Sequence, residues 1–217
     1  MNQRNFLKVL KLDQMDYGSA LKIQKEIEIK VRDGIEPQTL ILVEHPHTFT
    51  LGRKANLDGI IAGQNALRNL KIETFETDRG GRVTYHGPGQ LVGYPIINLS
   101  PGRKDVHKYL RDLEEVITRS LAAFQIESFR IDKLTGVYTR LGKVAAIGVH
   151  IARWVTTHGF ALNVNTDLSF FNMIIPCEGE PVTSMEKLLG AEVRLNEVED
   201  RIIENFTDVF DLQNFNQ

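Results

Sequence analysis

The sequence has a single cysteine among 217 residues, so no disulfide can form within the chain. It also lacks any run of about twenty apolar residues, the length that a membrane-spanning helix needs. Residues 1–7 are too polar for a secretory signal peptide. With one thiol and neither kind of segment, we expect a cytoplasmic protein.

A strong charge imbalance is absent as well. The 26 Lys and Arg residues nearly match the 28 Asp and Glu residues, which leaves a formal charge of -2. The overall charge therefore gives no indication of nucleic-acid binding, although a local basic patch is still compatible with it. The chain also has no linker, repeat or low-complexity tract, and 42% hydrophobic residues are enough for a sizeable core. We therefore predict one domain over residues 1–217.

Helical and strand patterns alternate along the chain. Apolar residues at helical spacing predict helices over residues 16–33, 106–124 and 195–210, the first with Asp16 as N-cap and Gly34 at its end. Short β-rich runs predict strands over residues 39–44, 72–77, 91–99, 136–139, 144–151 and 159–164. Residues 183–186 are typical of a capping box that opens a short helix ending at Gly190. These elements predict an α+β fold with a mixed sheet.

The lone cysteine, Cys177, lies in the segment Ile175-Pro176-Cys177-Glu178-Gly179, a short turn that follows an apolar run. A thiol in such a turn can stay near solvent. A lone cysteine is a candidate nucleophile when a basic side chain can activate it. The alternative from the residues alone is a small hydrophobic side chain in the core.

A second unusual segment, residues 79–90, contains four glycines among polar, aromatic and cationic side chains. Clustered glycines usually mark positive φ angles or a backbone that approaches a ligand closely. The spacing matches neither a Walker loop nor a dinucleotide-binding fingerprint. The alternative is a hairpin loop with turn glycines, but two arginines, a threonine, a tyrosine and a histidine in the same loop favour a binding wall.

Small side chains dominate the predicted strands over residues 142–148 and 159–164. Strict alternation places Lys143 and Ala145 on one face, and Ala146 and Gly148 on the other. Such small residues leave a groove that suits an extended apolar chain, for example a fatty acyl group. Taken alone, Lys143 is more typical of a charged residue at the end of a hairpin, and a functional role requires Cys177 to lie nearby.

The histidines offer two further interpretations. His86 and His158 lie in the motif segments, so a Cys-His pair rivals a Cys-Lys pair as the activating arrangement, and spacing alone does not decide between them. His45 and His47 without a second cysteine or clustered carboxylates are a weak zinc signal. We predict no metal.

Taken together, residues 79–90, 142–148, 158–164 and the pair Pro176-Cys177 resemble the motifs of the LipB-type lipoyl(octanoyl) transferases. Those motifs are an R-G-G-x-x-T-[YF]-H-G-[PQ]-G-Q loop, a G-K-x-A-x-x-G strand, an H-G-x-A-L-N-V strand and a P-C turn, and all occur here in order. The resemblance covers residues 40 to 190. One departure is that Glu178 separates Cys177 from Gly179, whereas in the family glycine usually follows the cysteine directly.

The resemblance implies a domain like the catalytic domain of biotin and lipoate protein ligases, with a mixed sheet flanked by helices. It further implies that Cys177 takes an octanoyl group from octanoyl-acyl carrier protein as a thioester and passes it to a lysine of a lipoyl domain. The acceptors would be the lipoyl domains of 2-oxoacid dehydrogenase complexes and the glycine cleavage H protein, in the first step of endogenous lipoate synthesis. No cofactor, nucleic acid or membrane is implied. A nearby ammonium such as Lys143 would lower the pKa of the thiol and serve as acid and base.

By the same resemblance, one set of residues forms the wall of the substrate site: Arg79, Gly80, Gly81, Arg82, Val83, Thr84, Tyr85, His86, Ala146, Ile147, Gly148, Gly159, Phe160 and Ala161. We also hypothesise that five cations form a docking patch for an acidic partner protein: Arg53, Lys54, Arg82, Arg103 and Lys104.

Three alternative functions stay open at this point. An ATP-dependent lipoate or biotin protein ligase shares the implied fold but needs no cysteine nucleophile. An octanoyl amidotransferase, which moves octanoyl between two protein domains, differs in its donor. A non-catalytic acyl-binding or carrier-binding module would keep its activity when Cys177 is replaced by alanine.

Overall fold

A computed structural model describes residues 5–55, 57–100, 102–175 and 181–215 of the protein. Within these ranges, the strands are β1 (Phe6–Gln14), β2 (Gln38–Glu44), β3 (Thr48–Leu51), β4 (Glu73–Glu76), β5 (Val83–His86), β6 (Gln90–Ile96), β7 (Val137–Thr139), β8 (Gly142–Ala152), β9 (Val155–Asn163) and β10 (Gln213–Asn214). The α-helices are α1 (Tyr17–Arg32), α2 (Gln64–Asn69), α3 (Val106–Ala122), α4 (Met185–Leu189) and α5 (Leu195–Phe210). Two short 3₁₀ segments cover Leu57–Gly59 and Leu168–Met173.

The strands form one large and one small mixed sheet. The large sheet has the order β10-β1-β2-β6-β9-β8-β7, in which β1 runs parallel to β10 and β2 and the other pairs are antiparallel. The small sheet has the order β4-β3-β5, with β3 parallel to β4 and antiparallel to β5. The predicted α+β class with a mixed sheet is confirmed.

Strand β2 shows how the two faces of the large sheet are covered. Its alternating residues divide between two hydrophobic cores, because successive side chains of a strand point to opposite faces. Leu40 and Leu42 belong to the core with α3 and α5, whereas Ile41 and Val43 belong to the core with α1. The large sheet is therefore flanked by helices on both faces.

The helix predictions are confirmed, with one shift at a cap. Asp16 caps α1, and its carboxylate accepts a hydrogen bond from the Ser19 N–H at 2.8 Å. The α4 helix ends at Gly190, as predicted, but its N-cap is Ser184 and not Thr183. The Ser184 hydroxyl accepts from the Lys187 N–H at 3.2 Å, so the capping residue lies one position later than the capping-box pattern indicated.

A β-bulge corrects the predicted faces of β8. Val137 pairs with Ala145, but the next residue, Tyr138, pairs with Lys143, so Val144 is an extra residue in β8. Val144 and Ala145 are consequently both buried in the core with α3 and α5. The bulge shifts the alternation by one residue and brings Lys143 to the same face as Ala146, which reverses the prediction that they lie on opposite faces.

A third hydrophobic cluster fixes the small sheet. The rings of Tyr85 and Phe170 stack with centroids 4.9 Å apart, and Phe49, Phe171 and Ile174 are buried in the same cluster. The small sheet is thereby packed against the 3₁₀ segment that precedes residues 176–180. Among the described residues, every helix is too short or too polar to cross a bilayer.

Candidate active site

A cavity of about 700 Å³ lies between the large sheet and residues 79–84, the segment that leads into β5. Its lining contains every residue of the predicted substrate wall apart from Tyr85, and it also contains Lys143. Tyr85 instead belongs to the cluster under the small sheet, where its hydroxyl lies 2.8 Å from Nδ1 of His47. The predicted wall residues are thus brought together, and Tyr85 supports the wall from behind.

The floor of the cavity is a row of small side chains across three strands. Ala146 of β8 pairs directly with Ala161 of β9, and Ala161 pairs with Val92 of β6. One row further along, Gly148 pairs with Gly159. Side chains of directly paired residues lie side by side on one face. Ala146, Ala161 and Val92 therefore form an apolar strip that lines the cavity.

Residues 79–84 form the roof of the cavity, and this roof segment approaches the large sheet through a glycine. The Gly80 N–H donates to the Val149 carbonyl of β8 at 2.9 Å. A Cβ atom at Gly148 would lie 3.0 Å from the Gly80 carbonyl oxygen, which is tighter than ordinary contacts. The contact between the roof and β8 therefore requires the absence of a side chain at Gly148.

Arg79 shapes this roof from inside. Its side chain is buried, and its guanidinium donates to the Thr50 carbonyl at 2.6 Å, the Arg82 carbonyl at 2.8 Å and the Gly80 carbonyl at 2.9 Å. A guanidinium offers five donors in a fixed plane, so it can hold several carbonyls at once. Arg79 folds the segment back on itself and ties it to β3.

The cavity is polar at the end that contains Lys143. His86 Nδ1 lies 2.8 Å from Gln90 Oε1, and the Gln90 amide donates to Asn163 Oδ1 at 2.9 Å. Burial holds the pKa of His86 well below its ordinary value, so its ring is neutral and donates from Nδ1 to Gln90. Asn163 continues this chain by donating to the Thr183 carbonyl at 3.0 Å.

Lys143 is anchored to the chain that follows the cysteine segment. Its N–H donates to the Pro181 carbonyl at 2.8 Å, and its carbonyl accepts from the Thr183 N–H at 2.9 Å. Its Nζ lies 5.0 Å from the centroid of the Tyr138 ring. Cys177 and Glu178, together with the other residues of 176–180, lie outside the described residues.

The second motif histidine, His158, belongs to a different cluster. Its Nε2 lies 2.6 Å from Oδ1 of Asp78, and its Nδ1 lies 3.4 Å from the hydroxyl of Tyr17. Burial lowers the pKa of His158 to about 4, against the opposing effect of Asp78. Burial raises the pKa of Asp78, but hydrogen bonds from His158 and Lys25 outweigh it and lower the value to about 2. At neutral pH, a neutral imidazole therefore donates from Nε2 to an ionised carboxylate.

The mouth of the cavity is basic. Arg53, Lys54, Arg82 and Lys133 are exposed and border it, and its lining among the described residues contains neither Asp nor Glu. The other two cations of the hypothesised docking patch are engaged elsewhere: Arg103 donates to the Phe210 carbonyl, and Nζ of Lys104 lies over the ring of Trp154.

His45 and His47, which the sequence indicated only weakly as zinc ligands, contact separate partners. His45 contacts the Met15 carbonyl through Nδ1 and the Tyr94 hydroxyl through Nε2, both at 2.7 Å, whereas His47 contacts Tyr85. In the described part of the chain, no group of three or more His, Cys, Asp or Glu side chains is arranged to hold a metal ion.

Sequence reasoning did not single out several side chains of this site. Tyr17, at the start of α1, and Tyr94, in β6, both line the cavity and are buried, but the sequence offered only their membership of apolar stripes. Asp78 directly precedes the recognised motif, and its position there is the signal that could have identified it.

Comparison with solved structures defines the class to which this fold and cavity belong. A protein from Thermoplasma acidophilum, described as a lipoate protein ligase and solved with bound lipoic acid, superposes with a TM-score of 0.81. The two chains are 16% identical, and the match covers 98% of this chain and 89% of that one. The biotin protein ligase of Aquifex aeolicus superposes with a TM-score of 0.58 at 14% identity over 95% of this chain and 70% of that one. The fold is therefore that of the lipoate and biotin protein ligase catalytic domains.

Sequence comparison defines the family within this class. The family model of the lipoyl protein ligase A/B catalytic domain matches residues 16–207. The octanoyltransferase of Solibacter usitatus is 50% identical over 203 residues, covering 93% of this chain and 92% of that protein. The octanoyltransferase of Rubrobacter xylanophilus is 49% identical over 197 residues, covering 89% of this chain and 88% of that protein. The chain belongs to the octanoyltransferases, which are acyltransferases.

Proposed function

We propose that the protein transfers an octanoyl group from octanoyl-acyl carrier protein to a lysine of lipoyl domains through a thioester on Cys177. The acceptors would be the lipoyl domains of 2-oxoacid dehydrogenase complexes and the glycine cleavage H protein. The observation that carries this proposal is the cavity itself, with its apolar floor of small residues and its polar end at Lys143. We propose residues 1–217 as one catalytic domain and the cytoplasm as its location.

The first chemical step forms the acyl-enzyme. The Cys177 thiolate attacks the thioester carbonyl of the donor, a tetrahedral intermediate forms, and the carrier thiol leaves with a proton supplied by the Lys143 ammonium. Support for this pairing comes from the position of Lys143 at the polar end of the cavity and from its backbone bonds to Pro181 and Thr183, which follow Cys177 closely in the sequence.

The second step releases the product. The amine of the acceptor lysine attacks the enzyme thioester, gives up a proton to the Lys143 amine, and expels the Cys177 thiolate as the amide forms. The atoms balance without a cofactor, because the donor thioester is already activated. His86 and His158 are assigned structural roles, since each ring donates to a fixed partner, Gln90 and Asp78 respectively.

The acyl chain would lie over the strip formed by Ala146, Ala161 and Val92. Burial of apolar chain contributes about 0.8 kcal/mol per methylene, so a strip of fixed extent can select chain length. The predicted wall residues 79–84 and His86 would close over the chain from the other side.

The donor protein would dock at the basic mouth. Acyl carrier proteins are usually acidic, and opposite charges speed encounter and fix orientation. The exposed cations Arg53, Lys54 and Arg82 therefore form the proposed docking patch, whereas Arg103 and Lys104 no longer belong to it because they do not border the cavity among the described residues.

Intact-mass measurement after mixing with octanoyl-acyl carrier protein tests the acyl-enzyme. We expect one octanoyl adduct that hydroxylamine removes, that is missing in Cys177→Ala, and that forms much more slowly in Lys143→Ala. Lys71→Ala provides the control for loss of a lysine. An adduct that persists in Cys177→Ala would refute the assigned nucleophile, and dependence of transfer on ATP would favour the ligase alternative.

Charge reversal tests the docking patch separately. Arg53→Glu combined with Arg82→Glu should raise KM for the carrier-bound donor with little change in kcat, and the effect should shrink at high salt. Lys104→Glu carries the matched reversal at a cation outside the patch and should leave KM unchanged. An unchanged KM in the double variant would exclude the patch.

A further inference from the structure

The carboxylate of Asp78 links four parts of the structure. Asp78 lies between β4 and β5, and its Oδ1 lies 2.6 Å from Nε2 of His158 on β9. Its Oδ2 lies 3.1 Å from Nζ of Lys25 on α1 and 3.6 Å from Nε2 of His150 on β8.

The segment that follows Asp78 is the roof of the cavity. Arg79 comes next, and Gly80 then donates its N–H to the Val149 carbonyl. The roof thus rests on β8 through one backbone bond, and the charged contacts of Asp78 hold the chain immediately before it. Removing them would leave the roof tied mainly through Arg79 and the backbone of residues 52–54.

The conformation of His158 is a second, independent observation. Its φ is +56°, a left-handed value that is uncommon for residues other than glycine. It is kept there by the Gln24 side chain, whose Oε1 accepts from the His158 N–H at 2.9 Å, and by the contacts of its ring with Asp78 and Tyr17. Such strained conformations persist where the surroundings over-determine them, and they cluster at functional sites.

We propose that Asp78 is a positioning residue for the acyl pocket: through His158, His150 and Lys25 it fixes residues 79–82 over the small-residue floor of β8 and β9. This inference rests on the proposed function for the identity of the ligand. Asp78 is not part of the cavity lining, and its carboxylate contacts His158, Lys25 and His150. It therefore acts through these partners and not on the reacting atoms.

Steady-state kinetics with octanoyl-acyl carrier protein test the functional part. Asp78→Asn retains the size of the side chain but removes its charge, and Asp78→Ala removes both. We expect KM for the donor to rise roughly tenfold in Asp78→Ala and less in Asp78→Asn, below the roughly hundredfold loss that a 1 Å misplacement can cost. The roof would bind the acyl chain but take no part in the reaction. The kcat per folded enzyme should therefore change much less.

Glu36→Ala is the matched control. Glu36 also joins α1 to the large sheet through two lysines, Lys30 at 2.8 Å and Lys8 at 3.5 Å, but it lies away from the cavity lining. A purely structural role for Asp78 would lower the active fraction in both variants and leave KM unchanged. That result would overturn the proposal.

Hydrogen exchange tests the anchoring without relying on any activity. Amides of residues 79–82 should exchange faster in Asp78→Asn than in the wild-type protein, whereas amides of α3 and α5 should exchange at the same rate. Unchanged exchange in residues 79–82 would overturn the anchoring, whatever the kinetics show. If instead the wild-type protein transfers no octanoyl group while exchange increases as expected, the proposed function fails and the anchoring role of Asp78 is upheld.

Discussion

Replacing Ala161 by leucine should shorten the acyl chain that the cavity accepts. Ala161 lies in the middle of the floor, directly paired with Ala146 on one side and Val92 on the other, and only 5% of it is exposed. A larger side chain here extends into the space above the strip. The polar end at Lys143 is unaffected, so the chemistry should continue with donors that need less room.

The expected loss of kcat/KM follows from the number of methylene groups of the acyl chain that the leucine side chain would displace from the cavity. Leucine fills the space of about three methylene groups more than alanine, each contributing about 0.8 kcal/mol of burial, for a total of about 2.4 kcal/mol. This corresponds to roughly a fiftyfold loss of kcat/KM for the octanoyl donor. A donor shorter by about three carbons should lose little, so the ratio of the two kcat/KM values should shift by nearly the whole factor.

The assay compares kcat/KM for octanoyl and pentanoyl donors in the wild-type protein, in Ala161→Leu and in Ala152→Leu. The last variant carries the same change near the hairpin end of β8, outside the cavity lining. Thermal unfolding checks that the fold is retained, because overpacking can itself cost about 1–3 kcal/mol. Equal loss with both donors, or the same shift in Ala152→Leu, would refute the assignment of the floor.

Three further predictions concern stability. Glu114→Ala should reduce the free energy of unfolding by about 1–3 kcal/mol in urea, because buried Glu114 accepts from the Gly136 N–H at 3.1 Å and that donor would lose its partner; an unchanged midpoint would contradict this. Gly159→Ala should destabilise the protein by about 3 kcal/mol or more, since a Cβ would collide with the carbonyl oxygen of the adjacent strand, and a normal melting temperature would count against that packing. Because the pKa of His158 falls from 6.5 to about 4 on folding, the unfolded chain binds the proton first, so His158 should contribute up to about 3 kcal/mol of stability that is complete above pH 6.5 and lost towards pH 4; urea titrations should show a weaker pH dependence in His158→Gln, with the part that comes from buried His86 and His45 retained.

The helices were predictable because their signals are local. The apolar stripe of α3 is buried at Tyr109, Leu113, Val116 and Leu121, as its spacing indicated. Strand β1 gave no such signal, because its sequence mixes lysines with apolar residues and its partners β2 and β10 lie far away along the chain. β3 and β5 likewise gave no signal, because each has only four residues and their pairing joins Leu51 to Val83, which lie far apart along the chain.

The sequence motifs predict which residues belong to the candidate site, but they do not predict how those residues are arranged. The motif segments contain the predicted wall residues, and all of these except Tyr85 line one cavity. The face that each residue occupies depends on strand register. The bulge in β8 changes that register, and side-chain alternation alone does not predict a bulge. Tyr85 was misplaced for a related reason, since alternation within β5 turns it away from its neighbours Thr84 and His86.

The bulge in β8 sets a requirement on strand pairing at this point. Two residues, Val144 and Ala145, separate Lys143 from Ala146, and Lys143 and Ala146 face the same side only because both intervening residues are buried on the other face. A β8 strand that kept both residues but paired regularly with β7 would turn the amine towards the hydrocarbon interior under α3. The position of the amine therefore depends on the irregular backbone at residues 144–145, and any change of sequence that straightens this part of the strand would remove the lysine from the cavity.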